Sequence, residues 1–423
     1  MTPEIKQRIE QICRGEVPEG YKKGKLGIVP EEWEDTSFST LFTSTSDYTE
    51  DLEKYPLYSL TIEGGVTPKT ERYERSHLVK KEDSYKIVRP NDYAYNPMNL
   101  RFGAVARYKG DIPVAVSGYY DIFTTVYKSD LPFMDSFLTC GPMITYYNRV
   151  STGSLVEKQR VHFSQFLGFV LPLPSRKERV PIAAILTTQD KVIELKEKLL
   201  AEKQRQKKYL MQVLLTGKKR LPGFSGEWKV NRLRNIATRH TKRNTIGNTN
   251  ALTISAQYGL INQAEFFNKA VASDDKSNYF LLEKGDFAYN KSYSNGYPFG
   301  AIKRLTRYEV GIVSPLYICF RIKEGSVSGE YLEQYFEAGL MNHELQAFAQ
   351  EGARNHGLLN IAVDDFFNSK ILLPSPEEQT SIAEIFSTAD REIDLLRQDI
   401  EQEKQKKKAL MQLLLTGIVR VNE

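Results

Sequence analysis

Ile182, Ile185, Leu186, Val192, Ile193, Leu199, Leu200, Leu210, Val213 and Leu214 recur at helical intervals, which gathers apolar side chains into one stripe of an α-helix. No Pro or Gly interrupts Ile182–Thr216, and Gly217 stands where a C-cap is expected. The pattern predicts a helix from about Lys177 to Thr216. Roughly 40 residues rising about 1.5 Å each make a rod of about 60 Å, well beyond the usual globular helix. The stripe returns as Ile382, Ile385, Phe386, Ala389, Ile393, Leu396, Ile400, Leu410, Leu413 and Leu414 and predicts a second rod from about Glu377 to Leu415. Aligned without gaps, 182–217 and 382–417 agree at 16 of 36 positions, where chance gives about two. Half of the chain is therefore a duplicate of the other half. Matching stripes on rods separated by other structure predict an antiparallel pair, with pseudo-twofold symmetry and the remaining domains at opposite ends.

Those remaining domains read differently. Ile5, Ile9 and Ile12 place a short amphipathic helix over residues 3–14, ended by Gly15, Pro18 and Gly20. Residues from about 30 to 175, and again from about 228 to 373, carry short Tyr-, Phe- and Val-rich runs punctuated by Gly, Pro, Asn and Asp, as strands and turns do. Asp92-Tyr93-Ala94-Tyr95-Asn96 is echoed by Asp286-Phe287-Ala288-Tyr289-Asn290, and Ser117–Phe123 by Ser314–Phe320. The expected fold is α+β: two strand-rich globular domains joined by two long helices packed as an antiparallel coiled coil, with a pseudo-twofold internal repeat. The expected boundaries are 1–20, 21–175, 176–217, 218–374 and 375–423.

A chain of 423 residues with 41% hydrophobic and 26% charged residues fits several soluble domains. Its net charge of +5 permits a nucleic-acid partner without demanding one. Cys13, Cys140 and Cys319 are too scattered for a disulfide framework or a CxxC metal site, which suits a reducing cytoplasm. No apolar run approaches the ~18 residues of a membrane span, and the polar N-terminus is unlike a signal peptide. Catalytic motifs fail one by one. Asn96-Pro97-Met98-Asn99 lacks the second Pro and the aromatic of an adenine-methyltransferase loop and reads better as a turn after a strand. Gly217-Lys218-Lys219 is not a phosphate loop, and the five histidines lack metal-site spacing. The chain is expected to be non-catalytic, without cofactor or metal.

Basic residues interleaved with aromatics and amides are what a DNA reader needs, because Lys and Arg hold phosphates while Arg, Asn and Gln reach base edges. The first domain offers Lys69, Arg72, Lys80, Lys81, Arg101, Arg107 and Lys109. The second offers Arg239, Lys242, Arg243, Lys291, Tyr293, Asn295, Lys303 and Arg304, with the loop Arg354-Asn355-His356 between glycines. Solvated turns explain any single cluster equally well, and the reading gains from their occurrence in both halves. On the rods, Lys203, Arg205, Lys207 and Lys208 recur as Lys404, Lys406, Lys407 and Lys408. These form either a solvated face or an interface to phosphates or an acidic partner.

Two diverged domains separated by near-identical helices ending in Leu210-Met211-Gln212-Val213-Leu214-Leu215-Thr216-Gly217 and Leu410-Met411-Gln412-Leu413-Leu414-Leu415-Thr416-Gly417 resemble the specificity (S) subunits of type I restriction-modification systems. Pro374-Ser375-Pro376-Glu377-Glu378-Gln379 before Ile382-Ala383 strengthens the resemblance, as do Pro30-Glu31-Glu32-Trp33 and Gly226-Glu227-Trp228 at the openings of the domains. The first repeat departs from it, with Arg176-Lys177-Glu178-Arg179 at the start of its helix. The resemblance implies two target-recognition domains, each reading half of a split double-stranded DNA site across a helical spacer. It also implies two methyltransferase (M) subunits docked on the frame, with restriction (R) subunits in the full complex and both catalytic activities residing in those partners. A coiled-coil scaffold for protein partners that does not touch DNA is the rival reading.

Overall fold

The computed structural model describes residues 2–45, 47–69, 85–153, 159–255, 258–267, 276–293, 296–351 and 359–421. The stripes form two helices of equal length, a central one over Arg176–Leu214 and a distal one over Pro376–Leu414. Pro181 lies in the second turn of the central helix, where it forfeits one main-chain hydrogen bond. Both helices end as their glycines require. Gly217 and Gly417 adopt φ of 70° and 71°. The Lys219 and Val419 N–H groups reach back to the Val213 and Leu413 carbonyls at 2.9 and 3.0 Å, satisfying carbonyls that the helix end leaves open.

Burial sharpens the stripe into a strict seam. Ile182, Leu186, Gln189, Ile193, Lys196, Leu200, Lys203, Lys207, Leu210 and Leu214 alternate steps of four and three residues, and all are buried or half-buried. The distal seam occupies the positions 200 residues later. Ile185, Val192, Leu199 and Val213 of the expected central stripe fall outside it, and two of these are exposed. Leu199 is 48% exposed and Ile185 37%, because each sits about 100° around the helix from its seam neighbour, Leu200 or Leu186.

The chain divides into two compact units, Met1–Glu197 with Asp399–Glu423, and Lys198–Gln398, so each unit holds a segment of both helices. In the first unit Asp190 pairs with Lys407 at 2.6 Å, Lys196 with Asp399 and Glu403 at 2.7 and 2.8 Å, and Gln189 donates to Glu403 at 2.7 Å. Partners fall in number on one segment as they rise on the other, so the segments run antiparallel. In the second unit Lys203 meets Glu392 at 2.8 Å and Lys207 meets Asp390 at 2.6 Å, again antiparallel. Lys207–Asp390 and Lys407–Asp190 are the same pair in the two repeats. Much of the basic run thus faces acids of this chain, and Arg205 and Lys406 add bridges to Glu202 and Glu403 on their own helices. Lys196 and Gln189 hold the Glu403 carboxyl down to about 2.

The globular parts share one plan. In the first unit an antiparallel sheet runs in the order Val105–Arg107, Tyr93–Tyr95, Asp121–Thr125, Phe42–Ser44. In the second it runs Ala301–Arg304, Phe287–Asn290, Ile318–Ile322, Ala237–Arg239. Phe123 lies opposite Tyr93 and Phe320 opposite Phe287, with rings stacked at 5.1 Å in both. The echoed motifs are therefore adjacent strands, central in each sheet and buried on both faces. Phe38, Phe42, Phe123, Phe166 and Phe169 join Ile182, Ala183 and Leu186 of the central helix, and Leu414 and Leu415, in one core. Phe287, Phe320, Phe336 and Phe366 join Ile382, Ala383 and Phe386, and Met211 and Leu214, in the other. Each domain is thus anchored on the start of one rod and the end of the other.

A polar clamp repeats the theme. In the first unit the buried Glu178 accepts from the Trp33 indole at 3.2 Å and from Arg420 at 2.7 and 3.1 Å. In the second, Glu378 accepts from the Trp228 indole at 3.1 Å and from Arg220 at 2.7 Å twice. The next residues differ in type but keep one bond, since Arg179 and Gln379 each donate to the carbonyl of the preceding Pro174 or Pro374 at 3.0 Å. The sequence departure at 176–179 preserves the helix start through a different side chain. Among the described residues, no helix is long and apolar enough to cross a membrane.

Candidate nucleic-acid interface

Several basic residues singled out in the sequence work inside the domains. Arg107 and Arg304 occupy equivalent positions on the edge strands, opposite Tyr93 and Phe287. Arg107 holds Asp135 at 2.7 Å and Asn91 at 2.8 Å, and Arg304 holds Glu330 at 2.7 Å. Each ties its sheet to a helix. Lys303 is buried, with its ammonium on Glu337 and on the Tyr297 hydroxyl at 2.8 Å. The positive groups of these three are already matched by carboxylates of the fold, and breaking such pairs to reach phosphate forfeits interactions already made. Arg101 is half-buried over the Phe102 ring at 4.5 Å and donates to Gln159 at 3.2 Å. Lys291 is also half-buried.

Others do lie open. Lys109 shares Asp135 with Arg107 at 3.3 Å yet its side chain is 68% exposed. Lys69 is exposed at the end of the hairpin Tyr58–Thr61/Gly65–Pro68. Arg239 is exposed on its strand, Lys242 pairs loosely with Glu283 at 3.3 Å, and Arg243 lies over the Phe280 ring at 4.8 Å. Tyr293 is 64% exposed. Arg72, Lys80, Lys81, Asn295, Arg354, Asn355 and His356 lie outside the described residues.

Sequence reasoning overlooked Arg321, which grips the buried Asp286 at 2.6 Å and Glu283 at 2.9 Å. These hydrogen bonds push the guanidinium pKa up, and Arg321 with Lys242 pulls that of Glu283 down. It also overlooked the exposed aromatics Tyr48, Tyr119 and Tyr258, because single tyrosines within strand-rich sequence carry no periodic signal.

Candidate chemistry is accounted for structurally. Asn96 accepts from the Met98 N–H at 3.1 Å, and Asn290 from the Ser292 N–H at the same distance, so Asn96-Pro97-Met98-Asn99 is a side-chain-capped turn. Burial raises the Cys140 and Cys319 thiols to about 12, which keeps them protonated and unreactive. No group of His, Cys, Asp or Glu among the described residues has the makings of a metal site.

Residues 225–405 match the family model of the type I restriction modification DNA specificity domain. This stretch belongs to the type I DNA specificity family. The first half repeats the frame of that stretch, with the same sheet order, the same glycine-capped helix end and the same Trp–Glu–Arg clamp. Solved structures agree in fold. The S subunit of the type I restriction-modification system from M. genitalium is 10% identical, with 90% of this chain and 96% of that chain covered at a TM-score of 0.52. A chain from work on complex assembly and conformational transition of the type I R-M system is 14% identical, with 92% and 99% covered at 0.53. At such identities the specificity fold is shared while the side chains that meet DNA are this chain's own.

Proposed function

We infer that this chain is the DNA sequence-specificity subunit of a type I restriction-modification complex. Residues 21–175 and 218–374 are the two target-recognition domains, each reading one half of a bipartite double-stranded site. Helices 176–217 and 375–423 are the spacer and the docking frame for two methyltransferase subunits, with restriction subunits joining in the full cytoplasmic assembly. Methyl transfer and cleavage belong to those partners, in keeping with a family whose specificity subunits are non-catalytic. The observation that carries the reading is the specificity-family match over residues 225–405 in a chain whose other half repeats its frame. Lys69, Lys109, Arg239, Lys242, Arg243 and Tyr293 head the proposed contacts, with the basic and amide residues of 72–81, 295 and 354–356 beside them in sequence.

Selection from a randomised duplex pool by the chain with its methyltransferase partners tests this. The expected product is a two-part motif with a fixed gap. Recovery of unenriched sequence favours the protein scaffold instead.

A further inference from the structure

In the first domain a recess of about 190 Å³ opens between the hairpin Tyr58–Thr61/Gly65–Pro68, the strand Tyr85–Val88 and the turn at 117–120. Its wall combines the rings of Tyr58, Tyr85 and Tyr120 with Ser59, Ser117 and the exposed Lys69. The rings are held in place. Tyr58 meets Tyr108 edge-on at 5.8 Å, and Tyr58 and Tyr120 both pack on the apolar cluster of Leu60, Val88 and Tyr108.

The second domain reproduces this frame and alters the lining. A constant offset of 194 carries 58–96 onto 252–290, and 197 carries 104–123 onto 301–320. Tyr85, Ser117 and Tyr120 become Tyr279, Ser314 and Tyr317, and Tyr317 likewise packs on an apolar cluster with its hairpin, that of Leu252 and Leu260. Tyr58, Ser59, Lys69 and Gly118 become Leu252, Thr253, Gln263 and Pro315. Leu252 is fully buried, and Gln263 turns in to donate to its carbonyl at 3.2 Å. A kept scaffold with a changed lining is what two readers of different half-sites require.

The shape of the recess selects its occupant. Base edges in a duplex are read by side chains that protrude into a groove. A concave site lined by three tyrosines, two serines and a lysine suits a base that has left the stack, its neighbouring phosphate held by the lysine. We propose that this recess is a specificity subsite of the first domain that takes one unstacked nucleobase of its half-site. Tyr58 supplies a stacking face, Ser59 and Ser117 hydrogen-bond the base edge, and Lys69 holds the flanking phosphate. The inference rests on the specificity reading above.

The test uses the full chain with its methyltransferase partners and the duplex motif that it methylates. A fluorescent analogue, 2-aminopurine or pyrrolocytosine, is placed in turn through the first half-site, leaving the methylated adenine aside. The expected result is a severalfold rise in emission at one position on binding. No rise at any position overturns the proposal, and this reading on the unaltered chain stands however variants fold. The triple variant Y58L/S59T/K69Q borrows the residues of the second domain. It is expected to lose roughly tenfold or more of the discrimination at that position, with the second half-site intact. A motif unchanged in the variant also overturns the proposal. Absence of any bipartite motif with the unaltered chain contradicts the specificity reading itself, so the two failures are separable.

Discussion

Replacing Glu178 with alanine is expected to destabilise the first unit by about 2 kcal/mol, a large effect for a single polar residue of the frame. The carboxylate is buried and receives the Trp33 indole and two bonds from Arg420. Its removal leaves the indole N–H of the buried Trp33 without its acceptor and takes from Arg420 one of its two carboxylates, Glu32 at 2.9 Å remaining, and an unmet buried donor costs more than the bond contributed. Glu178→Gln retains an acceptor for Trp33 and loses the charge, so a smaller loss is expected. Trp33 and Trp228 are the only tryptophans, and each sits in its own unit. In a Trp228→Phe background, urea unfolding followed by tryptophan emission therefore reports the first unit alone. A midpoint matching the parent within about 0.5 kcal/mol would show that the clamp contributes nothing.

The second large effect concerns spacing. One heptad inserted into both long helices, after Glu197 and after Gln398, keeps the four-and-three seam in phase on each. Each helix grows by about 10 Å, about three base-pair steps of roughly 3.4 Å. The methylated motif is expected to retain both half-sites with a gap wider by about three base pairs, read by methylation sequencing. An unchanged gap, with the complex intact, contradicts a spacer role for the helices.

The rods were legible in the sequence because their signal is periodic and duplicated: stripe, glycine caps and 200-residue offset all survive in the fold. Their polar seam was not. Whether Lys207 faces solvent or Asp390 depends on which residue the other helix brings opposite, and composition does not encode that. The central strands were legible at Tyr93–Tyr95 and Phe287–Asn290, where the echoed motifs coincide with the most buried positions. The proposed DNA-facing surface was legible only in part. Arg107, Lys303 and Arg304 read like surface cations, yet their acids, Asp135, Glu337 and Glu330, lie about 26 to 34 residues further along the chain, beyond the reach of local spacing rules. The recess went unseen for the same reason, because Tyr58, Tyr85 and Tyr120 converge only once the hairpin, strand and turn are assembled.

Exchange of residues 228–373 for the corresponding domain of another specificity subunit, followed by genome-wide mapping of adenine methylation in a host carrying the methyltransferase partners, tests the central claim most directly. The predicted motif differs from that of the parent in one half-site, while the other half-site and the gap are retained. Change in both half-sites at once, or in neither, would contradict two independent readers on a shared frame.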